Sequence, residues 1–563
     1  MTNVLRVLLI LWALMPASNA ASIEVVTQLD ANNIKQFQPH GPDAIGGIDD
    51  WVLSNGTLCA VISDKAHESG LMAWGGSLVD VYQCDRGNDQ WSFLHVIPNI
   101  DKDLLFPPLR MEPYELNGRP GLRVEFAGIG LNLRSEYSFV AHAKTQLRVK
   151  HTLTRRADGE ALTMLGVLAL HPHAALAPFS ISTKYPAYSL GFSYPASDMN
   201  DTLSVVDAMV PADIHVYVGD SALGEVSYGV QTNSAVLVNS KGDREILPVF
   251  QQTASTYSMQ GVFSRSPWFG GEGKLGLLEF AQSQLMDIDI GEAVEIVQTF
   301  YLGEKSDVAS ISNQIYQGPL LKGTTNELDT TVHILDEAGN ALSSVRTDDG
   351  GSFSVRLPKR TSAVTLQVRA AGSETSTSHA INISGPITLA GTLASEALAQ
   401  LSIENELPVR LTFIGVNGTR NPDFYRHGPV VRFGGSDDSD IRKANYISLA
   451  GLSSDVTDVR LPPGSYRVIA SRGMAYGVTE TVINLKPGAN PPLIVNAPLQ
   501  EVDTSGLLAA DFHVHSAPSF DSSIPVEERL RGFVAQGGDV LIASEHNVLV
   551  NYQGLVKRLG LQD

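Results

Sequence analysis

Polar and apolar residues alternate with a period of two over most of the chain before position 500. Leu147, Val149, His151 and Leu153 alternate with Arg148, Lys150, Thr152 and Thr154, and Leu131 and Leu133 are flanked by Asn132 and Arg134. Successive side chains of a strand point to opposite faces, so this pattern predicts strands with one face in a core and one in water. Asn55-Gly56 and Asn117-Gly118 supply hairpin turns. Apart from a short candidate over 307–316, no long amphipathic helix is visible. The predicted fold is multidomain and mainly β. A large antiparallel sandwich covers 21–320, and smaller sandwiches cover 326–390 and 408–500. The Ala-, Leu- and Ser-rich stretch 386–407 links or edges the smaller two.

The period changes near the end of the chain. An apolar run from Leu507 to Ala510 continues through Phe512 and Val514. Pro525 and the early Glu527 and Glu528 then precede a helical stripe of Val526, Leu530, Phe533 and Val534, closed by Gly537-Gly538. Val540-Leu-Ile-Ala543 follows as a continuous apolar strand, of the kind buried on both faces of a parallel sheet. The expected order over 505–563 is therefore strand, helix, strand.

Chemistry-bearing residues sit at the carboxyl ends of both strands, where α/β folds place their ligands. Asp511-Phe-His-Val-His-Ser516 puts His513 and His515 on one face, and Ser544-Glu-His546-Asn547 ends the second strand. Neutral imidazoles with a nearby carboxylate from Asp521 or Asp511 suit Zn²⁺ or Mn²⁺. A bare His-x-His is weak; the whole order of strand, motif, acid, helix, strand and histidine is far more specific.

At these residues the chain resembles the PHP (polymerase and histidinol phosphatase) superfamily of metallohydrolases, closest to its exported carbaryl-hydrolase-like branch. The resemblance implies an α/β (β/α)7 barrel with two or three divalent ions, zinc, manganese or iron. It also implies hydrolysis of small-molecule phosphate esters or of carboxyl or carbamate esters. His513, His515, Asp521 and His546 would be metal ligands, with Asp511 and Glu545 orienting them. Glu545 departs from the Asp usual in the family. The resemblance spans 505–563 only, and the family's later ligands would follow Asp563. The expectation is thus the first βαβ portion of a barrel, a truncated catalytic domain with weak metal binding and little turnover.

Composition adds limits. A formal net charge of −20 over 563 residues argues against nucleic-acid and anionic-membrane partners. Residues 1–20 read as a signal peptide, with Arg6, an apolar core from Val7 to Met15 and Ser18-Asn19-Ala20 before a cut. The protein is expected to be exported, periplasmic or secreted, with no integral membrane segment after cleavage. Oligomeric state is left open. In an exported chain the two cysteines, Cys59 and Cys84, point to one disulfide, contributing roughly 3 kcal/mol on a chain-entropy estimate.

Three further features compete for attention. His171-Pro172-His173 also spells His-x-His but has no accompanying acid. Trp51, Trp74, Trp91 and Trp268 fit a carbohydrate platform or, more simply, a core. Thr331 to Val368, with Asp348-Asp349-Gly350-Gly351 before Ser352-Phe353, resembles a carboxypeptidase regulatory-like module. Its aspartates read as a solvated turn before a Ca²⁺ site. The competing functional reading is a periplasmic or secreted β-sandwich that binds a ligand or carbohydrate.

Overall fold

The computed structural model describes residues 24–561 except 38, 69–73, 99–101, 158–165, 172–175, 195–208, 222, 254–257, 263–287, 374–375, 425–431, 434–443, 452–456, 520–521, 523 and 547, with no side chains described over 166–171, 432–433 and at 457. The signal-like segment 1–20, Asp521, Asn547, Trp268 and His173 lie outside the described residues.

The alternating pattern produces two facing antiparallel sheets. The first runs in the order Val25–Gln28, Trp51–Ser54, Leu58–Ile62, Leu78–Gln83, Phe93–Val96, Gly166–His171, Ser258–Val262, Phe250–Thr253. The second runs Ala177–Ile181, Ile214–Val218, Ser227–Val238, Ala293–Gly303, Gln146–Arg155, Leu131–Phe139, Arg119–Gly128, Leu105–Leu116. Leu53, Leu58, Ala60 and Val81 of the first sheet share one core with Leu122, Leu133, Val149 and Phe300 of the second. Trp91 is completely buried at its centre, with Phe300 edge-on at 4.8 Å and Tyr228 at 5.3 Å between ring centroids. It is a core residue, as is His151, which is held by the Ser135 hydroxyl at 2.8 Å and pushed by burial down to about 3. Trp74 is 38 % exposed and Trp51 half-buried, so among the described residues the tryptophans show no shared platform. At the Asn117-Gly118 turn both φ angles are positive, as a tight hairpin turn requires.

The second module starts earlier than its alternation suggests. Leu320–Thr325 already belongs to it, pairing with Ser352–Arg356 and, in parallel, with Ile387–Leu393. The opposing sheet is Ala341–Arg346, Thr331–Leu335, Ala363–Arg369, Thr377–Asn382. Asp348 Oδ1 accepts the Gly350 and Ser352 N–H groups at 3.0 and 2.8 Å, which makes that turn a self-capped loop.

The stretch 386–407 edges one sandwich and enters the next rather than merely linking them. Ile387–Leu393 is a strand of the second module and Ala399–Glu404 of the third. Ala399, Leu401 and Ile403 are buried in the third core, and that alternation with polar neighbours is what makes the segment a strand. The third module sets Ala399–Glu404, between Thr457–Leu461 and the short Gly488–Ala489 and Leu493–Ile494, against Tyr446–Leu449, Val409–Val416, Gly464–Ser471 and Val478–Leu485.

The C-terminal unit is Ala510–Val514, the helix Val526–Ala535, Val540–Ala543 and the short helix Gln553–Arg558. Its two strands pair in parallel, Ala510 with Val540 and Asp511 with Leu541. The barrel implied by the resemblance is not seen; among the described residues the two strands form a two-stranded sheet. Val540–Ala543, expected to be buried on both faces, has no fully buried residue, and Ile542 is 45 % exposed. A two-stranded sheet has too little surface of its own to enclose either face. The helix instead docks on the third module, where Gly473 approaches Gln536 so closely that a Cβ would lie 2.1 Å from its carbonyl oxygen. No helix of the described residues is long and apolar enough to cross a membrane.

Candidate functional site

The site grows from the ends of the two parallel strands. Period-two geometry turns Val514 into the interior and leaves His513 and His515 on the opposite face. Their Nε2 atoms come within 3.1 Å of each other, with ring centroids 4.9 Å apart. His546 arrives from the neighbouring strand end, its ring 4.7 Å from that of His515 and edge-on to it. The three histidines singled out in the sequence therefore meet. Asp521 lies outside the described residues.

The loops beneath are fixed by one carboxylate. Glu545 accepts the Ser516 N–H at 2.9 Å and the Ser519 hydroxyl at 2.7 Å, together with the hydroxyls of Ser516 and Tyr552. Burial raises its pKa, but this ring of donors outweighs it and holds the carboxyl below the usual range. The Tyr552 hydroxyl is pushed up by burial and by donating to that anion. Glu545 thus ties both strand ends and the last helix together without touching an imidazole among its described partners. Asp511 accepts the His513 backbone N–H at 3.1 Å, a contact that shapes the strand rather than the ring.

Three positioning residues carry no sequence motif. Arg529 donates from Nε to the His515 carbonyl at 2.9 Å, and the Ser519 hydroxyl accepts the His546 N–H at 2.9 Å. Tyr552 closes the ring on Glu545. The only sequence signal for them is placement: Arg529 lies one helical turn into a helix that starts beside the first motif.

Two imidazole nitrogens on a tetrahedral zinc, each about 2.0–2.1 Å from the ion, stand about 3.3 Å apart. The observed 3.1 Å is the separation of a hydrogen bond between the two rings, and it lies close to that chelate spacing. Among the described residues no group of three or more His, Cys, Asp or Glu side chains converges as a metal site. The spacing of His513 and His515 alone is compatible with a shared cation, with the His546 ring packed on that of His515.

In the large sandwich Cys59 and Cys84 are bonded, with Cα atoms 5.2 Å apart, on the face away from the main core. His171 belongs to a strand of the first sheet.

No protein-family model and no curated protein matches the chain. Solved structures that align with it share little sequence. A heparan sulfate lyase from Pedobacter heparinus is 9 % identical, with 59 % of this chain and 41 % of that one covered at a TM-score of 0.24. A glycoside hydrolase family 97 enzyme from Pseudoalteromonas sp. strain K8, in complex with acarbose, is 9 % identical over 48 % and 38 %, at 0.27. The Slr1438 protein from Synechocystis sp. PCC 6803 is 10 % identical over 52 % and 100 %, at 0.23. The chain spans less than half the length of the first two. At these scores the likenesses carry no argument about function.

Proposed function

We propose that the C-terminal unit is the metal-binding part of an exported, PHP-type hydrolase acting on phosphate esters or on carboxyl or carbamate esters. The observation that supports this most is the pair of Nε2 atoms 3.1 Å apart at the end of a parallel strand, with His546 brought alongside from the next strand. His513 and His515 would hold the first cation, zinc, manganese or iron. A bound divalent ion would supply an activated water and polarise the scissile oxygen. This chain's own residues set the geometry. Glu545 pins the two strand ends, Arg529 fixes the His515 backbone, and Ser519 positions that of His546. The apolar Val514 behind the pair excludes water from one side.

Titration of the full chain with Mn²⁺ and Zn²⁺, followed by calorimetry, tests the reading. One cation per chain should bind, and His513→Ala should weaken it at least tenfold while leaving the melting of the sandwiches unchanged. Equal binding by the variant would remove the proposal. Hydrolysis of an aryl phosphate and an aryl ester, measured in parallel, separates the two substrate classes.

A further inference from the structure

The outer face of the first sheet, turned away from the main core, is covered by residues 30–37 and 39–50, with Phe37 and Ile45 packed on Val52, Val61, Val79, Tyr82 and Phe93. Four carboxyl groups are sealed under this strap: Asp43, Asp50, Asp80 and Asp89, none more than 4 % exposed. Three of them have donors on hand. Asp80 accepts the Ile45 and Gly46 N–H groups at 2.8 Å each, and Asp43 accepts the Ser92 hydroxyl at 2.7 Å. Asp50 accepts N–H groups from Gly47 and Asp64 at 2.8 and 2.6 Å and lies 2.8 Å from His67 Nδ1. Asp89 differs. Its Oδ1 accepts the Val81 N–H at 2.7 Å, while its Oδ2, fully buried, has no hydrogen-bond partner.

The strap is built onto Asp89. Its N–H reaches the His40 carbonyl at 3.0 Å, and a Cβ at Gly41 would lie 2.3 Å from its nitrogen. The groups that act on it are the acids Asp80 and Asp43, which raise its proton affinity, and the backbone N–H groups of Val81 and Trp91, which lower it by less. Its own field reaches the hydroxyls of Tyr82 and Tyr228, and His67 lies beyond Asp80. No cation named among these contacts Asp89. Ionised, it would hold an unpaired charged oxygen beside two further acids; neutral, it leaves only an unpaired hydroxyl, a smaller penalty than a buried charge.

We propose that Asp89 is a neutral carboxylic acid in the folded protein, and that loss of its proton to water loosens the 39–50 strap, so the sandwich is less stable in alkaline than in acid solution. Burial first, then the charges of Asp80 and Asp43, raise Asp89 well above the ordinary carboxyl value; burial raises Asp43 and takes Asp80 to about 7. A folded state that holds its protons more tightly than the unfolded chain has their full stabilising effect below the unfolded value of 3.8. That effect is lost as pH rises through the folded values, the window running to about 7 and above.

Melting of the full chain at about pH 5 and about pH 8 tests this, with Asp89→Asn as the permanently neutral isostere. The wild type should melt about 5 °C lower at the higher pH, and the variant should show less than half of that fall. Equal falls in both proteins overturn the proposal. If the variant does not fold, hydrogen exchange in the wild type decides. Amides of 41–47, corrected for intrinsic rates, should exchange about tenfold faster at the higher pH, and unchanged protection overturns it. Recovery of the acid melting temperature by Ca²⁺ at high pH would show a cation in the proton's place, and also overturns it.

Discussion

The large sandwich and the C-terminal unit both draw carboxylates out of water, with opposite results. Under the strap, Asp89 is fully buried with one oxygen unpaired and two acids nearby, and its proton affinity rises. Glu545 is less buried and is ringed by two serines and a tyrosine, and its proton affinity falls. Burial alone does not set the sign; the balance between desolvation with neighbouring acids on one side and the donors facing the anion on the other does. The same contrast runs through the packing. Trp91 is enclosed on every side, whereas Leu507, Leu508 and Phe512 of the C-terminal unit are at least 70 % exposed.

Three substitutions and the loss of one bond sharpen the contrast. Trp91→Ala should have the largest effect, costing about 3–5 kcal/mol through the cavity it leaves among Tyr217, Tyr228 and Phe300. Chemical denaturation would read it, and a cost under 1 kcal/mol would mean that the two sheets do not share one core. Removing the Cys59–Cys84 bond, which closes a separation of 25 residues, should cost about 3 kcal/mol in the same domain. Intact mass with and without reduction checks the bond, and two alkylatable thiols in the native protein would show that it is not formed.

Glu545→Gln should cost less, about 1–3 kcal/mol, and only locally. Its depressed pKa adds a pH signature: the stabilising effect is present above about 4.5 and is lost as pH falls below it, the reverse of the strap. Hydrogen exchange at 510–516 and 540–546 should report both effects while the sandwiches stay protected. Loss of protection in the large sandwich would break the separation of the two regions. Phe512→Ser should change stability by less than about 0.5 kcal/mol, because the ring is 71 % exposed. A larger loss, measured by melting, would reveal a partner on that face.

Much of this was legible in the residues, and the reasons are local. Alternation over 147–153 and 131–133 specified strands and their inward faces, because side-chain direction in a strand follows from the backbone. The spacing of His513 and His515 sufficed to put them on one face. Pro525 and Gly537 bracketed the helix Val526–Ala535 to within a residue or two. The strand character of 387–404 was hidden by its Ala, Leu and Ser content, which reads equally well as a linker. Only pairing partners distant in sequence decided it.

What the chain could not specify by itself depends on such long-range neighbours. Val540–Ala543 is apolar enough for a sheet interior, yet burial needs covering surfaces, and the helix Val526–Ala535 packs on the third module instead. Asp80, Asp89 and Glu545 look alike in sequence as acids flanking or within apolar runs. The order of residues fixed where strands and histidines would lie, since both follow from bonded geometry. The fold alone decided which acid finds donors and which keeps its proton, since hydrogen bonds and desolvation are set by atoms brought together from far along the chain.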